Sequence, residues 1–112
     1  MKINLDKVTM RVIKTAENGV VNRGTIFHFT QMEAAVWAEY AGGKIKKGFL
    51  VGQSDGEVLE FAYCQLQTDV VLDSGASTCT LSRAENGKIQ LIENFEWKSR
   101  PGEKGQNVFM EV

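Results

Sequence analysis

Apolar and polar residues alternate with period two along most of this chain, in short runs broken by glycine and asparagine. A period of two places successive side chains on opposite faces of a β-strand. Asn18-Gly19 and Asn86-Gly87 each separate two such runs, and Gly42-Gly43 and Ser54-Asp55-Gly56 fall at similar spacing. Asn-Gly between alternating runs is a strong hairpin signal, because a type I′ turn needs positive φ at both central residues. The pattern predicts strands over about 8–15, 20–30, 34–41, 44–53, 57–67, 76–83, 88–98 and 106–112. Residues 31–40 carry helix-favouring Met, Glu and Ala, but the Gly42-Gly43 turn and Ile45 beyond it favour a strand.

Turn positions imply registers. A two-residue turn at Asn18-Gly19 sets Met10 opposite Phe27 and Val8 opposite Phe29, apolar against apolar. The Gly42-Gly43 turn sets Trp37 opposite Gly48, a large ring covering a strand glycine. Asn86-Gly87 sets Leu81 opposite Ile92, and the last turn sets Trp97 opposite Val108 and Phe95 opposite Met110. The segment 68–75 carries the least pattern and reads as a loop with Asp73, Ser74 and Gly75 as turn formers.

Eight strands joined in order by tight turns predict an all-β, up-and-down antiparallel meander, one domain over 1–112. Closing the meander removes the two open edges. An eight-stranded barrel is either filled by side chains or holds one small ligand. Both faces of strands three to five carry apolar residues, so their inward faces stay open at this point.

Composition narrows the function classes. Of 112 residues, 43% are hydrophobic, enough for one core. Thirteen basic and fourteen acidic residues give a formal net charge of −1, without the basic excess of a nucleic-acid binder. Lys44, Lys46 and Lys47 read as a solvated edge. No apolar run approaches the ~20 residues of a membrane helix, and 1–6 lacks a signal-peptide core, so the expected location is cytoplasmic. Cys64, Cys79 and the single histidine, His28, cannot form a four-ligand metal site, and no cofactor is expected. A turn centred near Leu72 would bring the two cysteines together across strands five and six, as reduced thiols in a cytoplasm.

Several residues are candidates for chemistry. Glu93 shares a strand face with Leu91, Phe95 and Trp97, so an inward face would put a carboxylate among aromatics. It then needs a partner or a ligand, with Arg83, Tyr40 and Tyr63 as possible donors; otherwise it is solvated at a barrel mouth. Tyr40, Tyr63, Glu93 and Trp97 are the expected ligand-binding residues. His28 alternates with Phe27 and Phe29 and is expected to point outward.

The segment Val70-Val71-Leu72-Asp73-Ser74-Gly75-Ala76-Ser77-Thr78 resembles the active-site segment of retroviral-type aspartic proteases. There, two Asp carboxylates from two subunits share a proton and activate water. The resemblance would make Asp73 catalytic. Only 39 residues follow it (112 minus 73), and none forms the apolar-apolar-Gly segment that supports such a loop.

The whole chain resembles a group of small bacterial proteins that look like avidin- or lipocalin-type (calycin-like) barrels. The resemblance rests on Thr25-Ile26-Phe27-His28, on Tyr40-Ala41-Gly42-Gly43-Lys44-Ile45 with Gly48 and Gly52, and on Phe61-Ala62-Tyr63. Asn86-Gly87-Lys88-Ile89 and Glu93-Asn94-Phe95-Glu96-Trp97 complete it. Some of these relatives are labelled N-acetylglutamate synthase. The nearest match to an acetyl-CoA loop, 53–58, ends in Val58 and opens a strand, not the helix whose free N–H groups meet a pyrophosphate. The resemblance implies non-catalytic binding of a small, partly apolar ligand in the barrel. The alternatives are a filled barrel acting as an interaction module, with homo-oligomers possible, and the protease reading.

Overall fold

The computed structural model describes residues 2–112. Eight antiparallel strands follow one another around a closed barrel: β1 (Thr9–Lys14), β2 (Ile26–Met32), β3 (Ala35–Gly42), β4 (Ile45–Ser54), β5 (Val58–Gln67), β6 (Leu72–Arg83), β7 (Ile89–Trp97) and β8 (Lys104–Glu111). β1 pairs with β8 and closes the ring. The alternation read in the sequence becomes an inside and an outside. In β7, Ile89, Leu91, Glu93, Phe95 and Trp97 are buried, while Asn94 and Glu96 face outward. The segment 31–40 is strand, not helix.

The registers test the turns. Met10 lies opposite Phe27, and the Phe29 N–H donates to the Val8 carbonyl, as the apolar pairing requires. Yet no type I′ turn forms at Asn18-Gly19, and neither residue has positive φ. β2 begins at Ile26 instead of near position 20. The adjacent Val20 and Val21 are both buried, which strict alternation forbids, so the chain leaves the ladder and folds across the barrel end.

Elsewhere the pairing shifts by a few residues. Gly48 lies opposite Tyr40, and Trp37 opposite Val51, because a bulge beside Ile45 adds to the turn. Leu81 faces Leu91, since Asn86 and Gly87 sit in a three-residue turn that uses Gly87 alone at φ 81°. Phe109 faces Leu91, and Val108 faces Ile92, because the β7–β8 turn closes earlier than expected, with β8 already beginning at Lys104 and the Trp97 N–H donating to the Glu103 carbonyl.

The expected loop at Asp73-Ser74-Gly75 is the start of β6, and the β5–β6 turn lies earlier, around Asp69 and Val70. Cys64 therefore faces Ser74, and Cys79 faces Leu59. The two thiols are free, one exposed and one buried.

Both ends of the barrel are closed from within the chain. At one end the N-terminal segment inserts Ile3 and Leu5, anchored by the Ile3 N–H to the Gly56 carbonyl and the Leu5 N–H to Gln31 Oε1. At the other end the β1–β2 connection lays Val20 and Val21 over the interior. The up-and-down order places the β3–β4, β5–β6 and β7–β8 turns at that same end.

Candidate functional site

Inward-facing residues form rows across neighbouring strands. One row runs Asp73, Gln65, Gly48, Tyr40, Phe27 and Met10. The next brings Trp97, Gly75, Tyr63 and Leu50 together. Glycines make room for the rings in both. A Cβ on Gly48 would clash with the Tyr40 ring, and one on Gly75 would clash with the Tyr63 ring and hydroxyl. The sequence puts a Tyr opposite a Gly in each case, so each ring lies across its neighbouring strand.

A cavity of about 20 Å³ sits between these rows, with room for about one water. Tyr40, Tyr63, Glu93 and Trp97 all line it, together with Gln65, Asn107 and the Val20-Val21 cap. The Phe27 and Tyr40 rings stack at 4.3 Å, and Tyr63 and Trp97 meet edge to face at 5.7 Å. The four expected ligand residues thus share one concave space.

Glu93 is buried, not solvated at a mouth. Its partners are not Arg83 or the tyrosines. The Ser77 hydroxyl donates to Oε2 at 2.6 Å, and Asn107 Nδ2 donates to Oε1 at 2.9 Å. Burial pushes the Glu93 carboxyl above its ordinary range, and these two bonds oppose the rise. Asn107 Oδ1 in turn accepts from the Thr15 hydroxyl and the Ala16 N–H, which ties β8 to the base of the cap. No sequence signal marked Ser77 or Asn107. Their positions on β6 and β8 become informative only once the registers are known.

Tyr40 donates to Gln65 Oε1 at 2.8 Å. Burial pushes both tyrosine hydroxyls upward, and the nearby Glu93 adds to the shift, so both remain protonated donors. Among the described residues, three buried side-chain polar groups have no partner: Tyr63 OH, Gln65 Nε2 and Trp97 Nε1. Each can donate a hydrogen bond. Leaving such a group unpaired costs about 1–3 kcal/mol.

Asp73 has no free face with which to activate water. Arg100 reaches it through Nη2 at 3.1 Å and Nε at 3.3 Å, and Ser99 and Gln67 fill the remaining acceptor positions. The same guanidinium lies 4.6 Å over the Trp97 ring. The carboxylate braces the barrel end, and neither this geometry nor the barrel fold supports the protease reading. His28 is exposed, its ring facing Thr9 Oγ1 at 3.4 Å. Among the described residues no cluster of His, Cys, Asp or Glu could hold a metal ion. No helix among them is long and apolar enough to cross a membrane.

The family model for avidin-like proteins matches residues 3–112. The chain belongs to the avidin-like family. The closed eight-stranded barrel agrees with that membership, and the match spans nearly the whole sequence. Neither the curated proteins nor the solved structures give a significant match to it. Membership of the avidin-like family fits small-ligand binding in general and leaves the choice of ligand to this chain's own residues.

Proposed function

We propose that this avidin-like barrel binds a small, partly apolar molecule among Tyr40, Tyr63, Glu93 and Trp97, beneath Val20 and Val21, without transforming it. The observation that carries this reading is the set of three unpartnered donors around one internal cavity. A barrel selected only for packing would place apolar side chains there, because buried unpaired donors destabilise. Ser77 and Glu93 are hydrogen-bonded, but Ser77 does not line the cavity, so the pair has no substrate-facing hydroxyl. The test is a thermal-unfolding screen against small metabolites. A ligand at a hundredfold its Kd contributes about 2.7 kcal/mol, or roughly 10 °C for a domain of this size. A screen in which no compound shifts the transition would count against the reading.

Pairing with a second copy is a second reading, favoured by the outer face of β3 and β4. Trp37 and Val51 lie side by side there, with Phe49 next along the strand, and they are 39%, 64% and 51% exposed. Glu39 and Lys47 flank them as an ion pair at 3.1 Å. A two-fold mate would offer each of these charges its opposite. Light scattering tests it: a dimer that Val51→Arg converts to a monomer supports self-pairing, and a monomeric wild type opposes it.

A further inference from the structure

We infer that the barrel end bearing the Val20-Val21 cap docks onto a lipid surface that carries anionic headgroups, with Val70, Val71 and Leu72 entering the headgroup layer and the lysines around them facing its charge. This concerns the outside of the barrel and does not depend on what the interior holds.

The β5–β6 turn supplies the apolar part. Val70, Val71 and Leu72 follow one another and are 74%, 44% and 63% exposed. Three consecutive apolar side chains in water are unfavourable and call for a use. Val70 is also held at φ 67°, and backbone strain of this kind gathers at functional positions. The half-buried Leu66 faces Leu72 across the ladder and extends the apolar strip onto the barrel wall. Met32, Val58 and Val112 are exposed at the other end, but each stands on a separate turn or terminus.

The charges divide along the barrel axis. Residues 14–25, 42–47, 67–72 and 98–104 make up the capped end and hold eight of the thirteen Lys and Arg, with three of the fourteen Asp and Glu. Residues 2–8, 32–35, 54–58, 83–89 and 111–112 make up the other end and hold four basic and six acidic residues. The net charge of −1 hides this polarity. The basic groups also surround the apolar tip. The Thr68 N–H donates to the Lys44 carbonyl at 2.9 Å, which fastens the lysine turn to the tip. Lys47 faces Leu66, and the Lys98 N–H donates to the Ser74 carbonyl two residues beyond Leu72. Among the described residues Lys44, Lys46 and Lys98 form no ion pair, while Lys47 and Arg100 pair with Glu39 and Asp73. Glu17, Asp69 and Glu103 are the acidic residues of this end.

The combination decides the occupant. A soluble polyanion would use the lysines and leave the apolar tip in water. A second copy offering its acidic end would make a head-to-tail contact that repeats into an open filament. An anionic bilayer takes both features at once: its headgroup layer accepts a projecting apolar turn, and its surface potential attracts the lysines beside it. Neither feature requires a membrane-spanning segment.

The experiment is flotation of the full chain with two kinds of vesicle, phosphatidylcholine alone and phosphatidylcholine mixed with phosphatidylserine. Binding should be at least about tenfold stronger on the mixed vesicles, since each nearby lysine adds attraction to an anionic surface. It should fall when salt rises from about 0.1 M to about 1 M, which shortens the screening length from about 10 Å to about 3 Å. Leu72→Ser should weaken it about tenfold, the effect of leaving one large aliphatic side chain in water. Lys44→Glu combined with Lys46→Glu should weaken it on the mixed vesicles at least as much. Met32→Ser, an exposed change at the other end, should leave it unchanged. Failure to float with the mixed vesicles would overturn the proposal. Equal flotation with both kinds would remove the role of charge and overturn it too. Binding that Leu72→Ser leaves intact would assign the lysines to a soluble polyanion instead. Salt-sensitive filaments in light scattering, without flotation, would assign the end to a second copy.

Discussion

The Tyr40 ring lies across Gly48 on the neighbouring strand, so closely that a Cβ on Gly48 would stand 2.3 Å from the ring. The same ring stacks on Phe27 and donates its hydroxyl to Gln65. One absent methyl group therefore permits a stack and a buried hydrogen bond at the site. Gly48→Ala should destabilise the barrel by about 1–3 kcal/mol, the usual range for overpacking a core. Urea unfolding checks this, and an unchanged midpoint would mean that the ring moves aside freely.

Glu93 makes stability depend on pH in a definite direction. Its folded carboxyl titrates above the ordinary 4.5, mainly because it is buried. Between that value and the raised one, the folded state holds a proton that the unfolded state has lost. Stability contributed by the neutral acid is complete below the unfolded pKa and falls as pH rises through the folded one. Glu93→Gln removes this loss, so its stability relative to wild type should increase from mildly acidic to neutral pH. Urea midpoints for both proteins across that window give the answer, and parallel curves would contradict the assignment.

Val70 adopts φ 67°, which a β-branched residue rarely adopts, and it is 74% exposed. Its N–H donates to the Gln67 carbonyl in the β5–β6 turn, at the position where a three-residue hairpin favours glycine. Val70→Gly should raise stability by about 1 kcal/mol through relief of strain, despite the greater freedom of the unfolded glycine. Thermal unfolding would show a gain of a few degrees; a loss would show that the valine has a contact worth more than the strain.

The two thiols should behave differently. Cys64 is exposed on the outer face of β5, and Cys79 is buried, which pushes its thiol upward, with Glu93 adding to the rise. A thiol reagent should count one fast-reacting cysteine in the native protein and two in denaturant. Two fast thiols in the native state would place Cys79 in an opening part of the barrel.

The period-two pattern and the turn residues made the strands, their order and the closed barrel legible, because each strand buries one face only. Glu93 and Trp97 were legible as sharing one face with Leu91 and Phe95, but the inward faces of the strands that carry Tyr40 and Tyr63 stayed open, because both faces there hold apolar residues. The partners of Glu93 were not legible. Ser77 and Asn107 meet Glu93 through strand registers that depend on bulges and turn lengths, and an Asn-Gly pair does not fix these. Asn18-Gly19 shows why: the local preference for a tight turn lost to the burial of Val20 and Val21 over the barrel end. The Asp73 segment misled in the opposite way. Its short motif matches a catalytic loop, while its place in β6 beside Arg100 makes it structural.

The most direct test of a ligand-binding interior is a native mass spectrum of freshly purified protein set beside its denatured mass. The account predicts one small molecule per chain that is lost on denaturation and is retained at lower occupancy by Tyr63→Phe. A bare chain mass after incubation with a concentrated small-molecule extract of cells would contradict it and leave a filled barrel.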